Sequence, residues 1–414
     1  MKIAVIGSGI SGLTAAYYLQ RAHEVTLFES EGRPGGHTNT LEVRERNRAI
    51  PVDTGFIVFN ARTYPHFIRL LGELGVAWTG SEMSFSVRSE ARNFEYSGSG
   101  LTTLYGQARN LLDPSYHRMV LEIIRFYKEA RELLAEGSEE TLGSYLERRG
   151  YSKRFREDHL MPMVRAVWSA DQEGADRFPA RFLVRFFENH GFLETGRRPQ
   201  WLTIPGGSRT YVKALLGKFQ GRVRLGSAVQ LVRRTQGKVE VKTPVDSGVF
   251  DHAVLACHSD QALKLVENPT QAEREVLGKI PYQANEAVLH TDESVMPRRK
   301  RLWSSWNVHL DDSQGAHRPV AMTYWMNRLQ PLEAQKNYFV TLNATRRIHT
   351  DSILRTIPYE HPVFTPEGVE AQKRRGEFLN YQGLSYCGAY WRNGFHEDGV
   401  VSALDVARAL GVVL

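Results

Sequence analysis

The chain opens on a strict succession of apolar and glycine-rich segments. Lys2-Ile-Ala-Val-Ile6 is a continuous apolar run of strand length, the pattern of a strand buried on both faces of a parallel sheet. Gly7-Ser-Gly9-Ile-Ser-Gly12 follows without a gap, and Leu13 to Arg21, rich in Ala and Leu, reads as a helix. Glu24-Val-Thr-Leu-Phe-Glu29 is a second strand ending in an acid. From about residue 80 the pattern changes. Met119, Ile123, Tyr127, Ala130 and Leu134 fall on one stripe of an amphipathic helix near 116–135. More helix is expected at Thr141–Arg149, Phe155–Trp168 and from Pro179 to Asn189, the proline standing at a helix start. Gln283–Thr291 is apolar and strand-like.

The glycines of the first unit each answer a steric need. Gly7 permits a tight turn, Gly9 lets backbone approach a pyrophosphate, and Gly12 lets helix pack on strand. The phosphates would meet the helix N-terminus, where free N–H groups and the helix dipole favour an anion; Ser8 and Ser11 belong to the same loop and count with it as cofactor-binding candidates. Glu29 stands 22 residues after Gly7, where a carboxylate accepts from the adenosine ribose hydroxyls. This unit alone does not choose between NAD and FAD.

The choice comes from resemblances further along the chain. Arg33-Pro-Gly35-Gly36-His37-Thr38 resembles the second-glycine signature of FAD enzymes of the amine oxidase and phytoene desaturase type. The resemblance implies that these residues bring N–H groups and a cation to the pyrophosphate and ribityl chain. Val52-Asp-Thr-Gly55-Phe56 resembles the segment that passes the isoalloxazine edge, and Val223–Val229 the strand whose Val229 main chain meets the adenine. Phe250–Ala256 resembles the strand and turn capping that half of the site. Near the C-terminus, Leu384–Gly388 is a strand ending in glycine, followed by Gly394-Phe-His-Glu-Asp-Gly399 and a helix over Val400–Ala409. A helix N-terminus there, with Asp398, Gly399 and Val400, would stabilise negative charge on the flavin pyrimidine ring. The sequence departs from the family at Gly388-Ala389, where an acid is usual. Glu397 or Asp398 supplies that contact in one reading and caps the helix in the other.

The expected fold is therefore α/β: a Rossmann-type FAD-binding domain (1–80, 195–282 and 375–414) with a mixed α+β substrate domain (81–194 and 283–374), in the two-domain amine oxidase architecture. A chain of 414 residues is long enough for two or three domains. Its 42% hydrophobic and 24% charged residues suit a folded enzyme. Cys257 and Cys387 are too few for a disulfide framework, and neither has a second ligand at metal spacing, so no metal site is expected. Glycines interrupt the opening segment where a secretory signal would continue, and no run is long enough to span a bilayer; the expected compartment is cytoplasmic. Lys and Arg outnumber Asp and Glu by 53 to 46, with short clusters at Arg197-Arg198 and Arg298–Arg301. A solvated surface explains this excess, and peripheral attraction to anionic lipid is the functional alternative. Nucleic acid is not expected, since no recognition motif accompanies the charge. Phe178, Phe182 and Phe186 recur beside Arg177, Arg181 and Arg185. They form either a core stripe flanked by solvated arginines or a face seated in a membrane.

Longer runs narrow the resemblance. DTGFIVFNARTYPHF, GRRPQWLTIPGGSRTYV, NEAVLHTDESVMPRR, LWSSWN and YCGAYWRNGFHEDG are similar to a subgroup of FAD-containing oxidoreductases. These are encoded beside bacterial cyclopropane-fatty-acyl-phospholipid synthases and form the N-terminal half of plant cyclopropane fatty acid synthases. A bacterial relative acts as an acyl-chain desaturase in furan fatty acid formation. The resemblance implies a lipid or other apolar substrate and a fatty acyl methyltransferase as partner. Hydride loss to flavin N5 leaves positive charge on carbon, which a methyl-branched centre supports, so the site should be dry, apolar and equipped with one base. Trp303, Trp306, Tyr324, Trp325, Met326 and Tyr390-Trp391 are the candidate walls, with core packing as their plain reading. His290 is the first candidate base, with Tyr64 and His396 behind it. The Lys found near flavin N5 in many amine oxidases has no counterpart in Ile280–Glu286. Three functions remain open: a lipid acyl dehydrogenase, an amine oxidase, and a flavin-bearing accessory protein of a methyltransferase.

Overall fold

In the computed structural model, residues 1–136, 140–168, 172–194, 199–310 and 320–414 are described; the Arg197-Arg198 pair lies outside them. β1 (Lys2–Ile6), α1 (Ile10–Leu19) and β2 (Glu24–Phe28) form the opening βαβ unit. α1 begins three residues earlier than the pattern of apolar positions predicts. Gly9 is its N-cap, so Ser11 and Gly12 lie in the first turn rather than ahead of it. α2 (Pro65–Leu74) starts on proline and stops at Gly75, whose φ of 73° is one that glycine adopts freely. β3 (Phe85–Ser89) and β4 (Phe94–Ser97) lead into α3 (Pro114–Glu129), capped by the Asp113 carboxylate, which accepts from the N–H groups of Ser115 and Tyr116. The predicted 141–149 helix covers Leu142–Arg148, capped by Thr141. The 155–168 segment is helical but widens by a π turn at Arg156–Leu160, where Asp158 and His159 are buried. α4 (Ala180–Asn189) and α5 (Arg209–Lys218) follow.

β5 (Arg222–Arg224) is shorter than the expected Val223–Val229, because the N–H groups of Gly226 and Ser227 turn to the carbonyls of Glu31 and Glu29. β6 (His252–Leu255), β7 (Tyr282–His290), β8 (Trp306–Leu310), β9 (Ala321–Trp325), β10 (Phe339–Leu342), β11 (Ile353–Pro362), β12 (Leu384–Tyr386) and α6 (His396–Ala409) complete the frame. α6 starts four residues before Val400, which places Asp398 and Gly399 inside its first turn.

Two sheets organise these elements. One is wholly parallel, in the order β5-β2-β1-β6-β12, and draws its strands from three separated stretches of chain. α1, α2, α5 and α6 cover it in one apolar core with Leu13, Phe67, Tyr211, Leu215 and Val400. The other runs β11-β7-β10-β9-β8-β3-β4, antiparallel except where β8 meets β3. Its two faces differ, as alternation along a strand requires. Ala287, Leu289, Val340, Leu342, Tyr324 and Trp306 share the inner face, where they meet Val52, Ile57 and Tyr359. The outer face is a buried polar row. Ser86 donates to Asn307, Asn307 to the Thr323 carbonyl, and the hydroxyls of Thr323 and Thr341 pair at 2.7 Å.

The Phe178–Phe182–Phe186 stripe packs inward. Phe178 and Phe186 are buried against Trp168, and Phe182 stacks on Phe364 at 5.4 Å. The core reading holds, and these rings do not form a membrane face. The candidate walls are dispersed. Trp306 and Tyr324 lie on the inner face and Met326 in the core beside it; Trp303 and Trp325 pack on Phe339 behind the sheet, and Tyr390-Trp391 fill the core under β6 and β12. Alternation separates them. No helix among the described residues is long and apolar enough to cross a membrane.

Candidate active site

The carboxyl ends of β1, β2, β6 and β12 deliver the Gly7–Gly12 loop, Glu29, Ala256–His258 and Cys387-Gly388 to one edge of the parallel sheet, the crevice where such sheets bind ligands. The three motif glycines differ in what surrounds them. A Cβ at Gly7 would lie 2.9 Å from the Ala256 carbonyl, and one at Gly12 1.8 Å from the Gly7 carbonyl, so protein packing demands both glycines. Among the described residues, a Cβ at Gly9 would meet nothing within 4 Å. Open space in front of a helix N-terminus is what a diphosphate requires. The second glycine pair closes the other side. A Cβ at Gly36 would come within 3.2 Å of the Gly9 Cα, and the Gly35 N–H donates to the Ser8 carbonyl at 3.0 Å. Gly35 and Gly36 hold φ of 119° and 55°, conformations that favour glycine. Arg33 braces this loop by donating to the Gly36 carbonyl at 3.0 Å. Glu29 is buried and accepts from the Ser8 and Glu31 N–H groups, each at 2.9 Å. That contact ties the Gly7–Gly12 loop to the end of β2 and holds the carboxylate in place. Val229 packs on the core at this end.

Beyond the glycines, the described residues bring four imidazoles together. His37 stacks on Tyr359 at 4.9 Å, with His361 and His258 at 5.3 and 6.1 Å. Its Nε2 is buried without a hydrogen-bond partner, an atom left for a ligand to satisfy. His258 stacks on Tyr282 at 4.3 Å. Tyr359 in turn binds Asn39 and Thr54, which orients it across the two lobes. His396, first residue of α6, lies face to face with Phe56 at 3.5 Å, and its Nε2 shares hydrogen bonds with Thr38 and Tyr211 at 3.0 and 3.2 Å. Burial holds His37 and His258 below the usual imidazole range and lowers His361 to about 4 and His396 to about 3. At neutral pH the cluster is uncharged. Gly55 must be glycine because a Cβ would sit 2.1 Å from the His37 carbonyl.

Several expected residues act differently from the sequence reading. His290 points to the outer face of β7. Its Nε2 pairs with Thr341 at 2.7 Å and its Nδ1 accepts from the Asp292 N–H at 3.1 Å, so it braces the sheet and is no base at this site. Asp398 does not reach toward the crevice. Its carboxylate accepts from the N–H groups of Asn393 and Phe395 at 3.2 and 3.0 Å, and burial raises it to about 7. Glu397 accepts from His66 and Phe67 and so caps α2. The helix-capping reading of both acids is the one the geometry supports. The Gly388 N–H is engaged by Ser402 at 2.8 Å, and Gly388 is required by the ring of Tyr390, 2.1 Å from a Cβ. Val400 lies one turn inside α6 and is wholly buried. Gly399 lets α6 touch α1, since a Cβ would come 2.8 Å from Ile10 and from the Ser11 hydroxyl. Two helix N-termini therefore converge on the crevice. Tyr64 is buried edge-on to Phe59, beside His190, with its hydroxyl titration pushed up by burial and by the Asp398 and Glu397 carboxylates.

Sequence reasoning missed Tyr211, His258, Tyr359 and His361. His258 had a usable signal, since it follows a buried parallel strand at its carboxyl end. It also missed the joint between lobes at Asp53. That buried carboxylate accepts from Ser208 and from the Gln330 amide at 2.7 Å, and burial raises it to about 6.

Two glycine loops facing each other, a buried acid after the second strand and two convergent helix N-termini beneath an apolar second sheet define a flavoprotein of the two-domain type. Residues 10–340 match the model of the flavin containing amine oxidoreductases, and the chain belongs to that family. It is an oxidoreductase with FAD as its cofactor. It is 25% identical over 293 residues to the flavin-dependent L-tryptophan oxidase RebO of Lentzea aerocolonigenes, over 63% of this chain and 57% of the oxidase. The chain thus spans little more than half the length of that curated relative. Putrescine oxidase bound to putrescine superposes with a TM-score of 0.70 at 13% identity, covering 99% of both chains. The CLA-producing fatty acid isomerase from P. acnes superposes at 0.64 and 16% identity, covering 99% of this chain and 98% of the isomerase.

Proposed function

We propose that the chain dehydrogenates a methyl-branched or otherwise modified lipid acyl chain, within the branch of the family associated with cyclopropane-fatty-acyl-phospholipid synthases. The observation that carries this reading is the inner face of the seven-stranded sheet. Ala287, Leu289, Trp306, Val308, Met322, Tyr324, Val340 and Leu342 alternate onto it from its four central strands, and none is charged. A hydrocarbon chain loses nothing by entering such a wall, whereas an ammonium needs a carboxylate or a polar partner. The bound FAD supplies the hydride acceptor. The chain's own residues supply an apolar face and uncharged imidazoles at His37, His258 and His361, with the half-exposed Glu360 carboxylate 3.4 Å from His258. The fold is one that also serves a fatty acid isomerase. A fatty acyl methyltransferase is the partner this reading calls for, since it would make the branched centre.

A second reading, amine oxidation, is favoured by the likeness to the tryptophan and putrescine oxidases. A third, a flavin-bearing accessory role, needs no turnover. Anaerobic mixing separates them. Phospholipid with methyl-branched or cyclopropane-modified chains should bleach the flavin, and simple amines should not. Bleaching by amines with hydrogen peroxide release in air, and none by modified lipid, would replace the proposal with the amine oxidase reading. No bleaching by either leaves the accessory role.

A further inference from the structure

We propose that the surface formed by residues 101–124 seats the protein on an anionic lipid bilayer. Apolar side chains are exposed there in unusual density: Leu112 is 88% exposed, Leu101 75%, Leu121 67%, Leu111 56% and Ile124 43%. Scattered exposed leucines are ordinary, but a contiguous set marks an interaction site. His117 makes these contiguous. Its Nε2 meets the Leu111 carbonyl at 3.0 Å and its Nδ1 the Tyr105 hydroxyl at 2.8 Å, while Tyr105 closes the helical turn begun at Leu101. Leu121 and Ile124 follow His117 at four and seven residues, on the same stripe of α3. The opposite stripe, with Tyr116, Met119, Ile123 and Phe126, is in the core. α3 thus carries apolar side chains on a covered face and on an exposed one, where Arg118 and Lys128 flank Leu121 and Ile124.

Charge identifies what covers the other. A cleft of about 690 Å³ opens beside Leu111, lined by Arg92, Arg109, Lys153 and Arg154 against the carboxylates of Asp113, Glu157 and Asp158. The Arg109 guanidinium is held by the backbone carbonyls of Arg92 and Asn93, which orient it without neutralising it. Lys153 is 84% exposed, 3.8 Å from Glu157. Three of the cleft's cations are paired with its three carboxylates, Arg92 with Asp158, Arg154 with Asp113 and Lys153 with Glu157. The exposed Arg109 and, on α3, the exposed Lys128 are therefore the groups that would meet the phosphates of one leaflet, beside side chains suited to its acyl layer. The seat does not depend on which reaction the flavin performs.

The test is sedimentation of the holoprotein with vesicles of phosphatidylglycerol or phosphatidylcholine. The wild-type protein should bind the anionic vesicles preferentially, and less so as salt rises. Leu111→Ser with Leu112→Ser should weaken binding at least about tenfold, with FAD content and melting temperature unchanged. Arg109→Glu with Lys128→Glu should erase the preference for the anionic lipid. Failure of the wild type to bind either vesicle overturns the proposal, as does undiminished binding by the leucine variant. A wild-type dimer that the leucine variant breaks, without vesicle binding, would assign the surface to a second copy instead.

Discussion

Replacing Gly9 by alanine separates what the fold needs from what the cofactor needs. Gly9 holds φ −64° and ψ 180°, a backbone that alanine adopts without strain. A Cβ there meets no heavy atom of the described residues within 4 Å. The apoprotein should therefore keep its stability, or gain about 0.4–1 kcal/mol from a stiffer unfolded chain. Gly12→Ala is the contrast. Its Cβ would lie 1.8 Å from the Gly7 carbonyl and 3.1 Å from the Ala256 Cβ, so α1 would have to leave the sheet. In the holoprotein the Gly9 methyl would stand where the diphosphate approaches the N-terminus of α1, displacing it by about the length of one carbon–carbon bond, ~1.5 Å. Loss of one charge-assisted hydrogen bond, at about 1.5–3 kcal/mol, is roughly a 10- to 100-fold loss of FAD affinity. Titration of FAD into the apoproteins, followed by flavin fluorescence quenching alongside thermal melting, gives both quantities. A Gly9→Ala protein that binds FAD as tightly as wild type would place the diphosphate elsewhere. Clear destabilisation of its apoprotein would show that Gly9 serves packing.

Asp398 binds its proton more tightly folded, at about 7, than its ordinary value of 3.8. Its contribution to stability is therefore greatest at low pH and declines as pH rises from about 4 to 7, by up to about 1.4 kcal/mol per unit. Asp398→Asn keeps an acceptor for Asn393 and Phe395, and should flatten that slope in pH-dependent melting; an unchanged slope would refute the assignment. His290→Ala should cost about 1–3 kcal/mol of stability by leaving the Asp292 N–H without its partner and Thr341 with Thr323 alone, while the rate of flavin reduction by substrate stays the same. A rate loss beyond the loss of folded protein would return His290 to the chemistry.

The cofactor half was legible because its steric demands are local. A strand, a tight turn and a helix must follow one another within a dozen residues, and only glycine satisfies Gly7 and Gly12. Boundaries were less legible. α1 and α6 each begin three or four residues earlier than apolar periodicity suggests, because first-turn residues such as Ser11 and Asp398 are polar for capping and crevice reasons, not because they lie outside the helix.

The amino-acid order by itself therefore determined the βαβ unit, the acid Glu29 that follows its second strand, the facing loop at Gly35-Gly36 and the family these define. Only the tertiary structure decided which side chains share the site. A one-residue change of parity on β7 separates Leu289, on the inner face, from His290, in the polar row behind it. Asp398 and Glu397 look like ligands in the sequence, yet two helix starts claim them, one of them α2, over three hundred residues away in the chain. The imidazole group of His37, His258, His361 and His396 comes from four elements far apart in the chain. Such partners are set by where layers pack, and no local pattern encodes that distance.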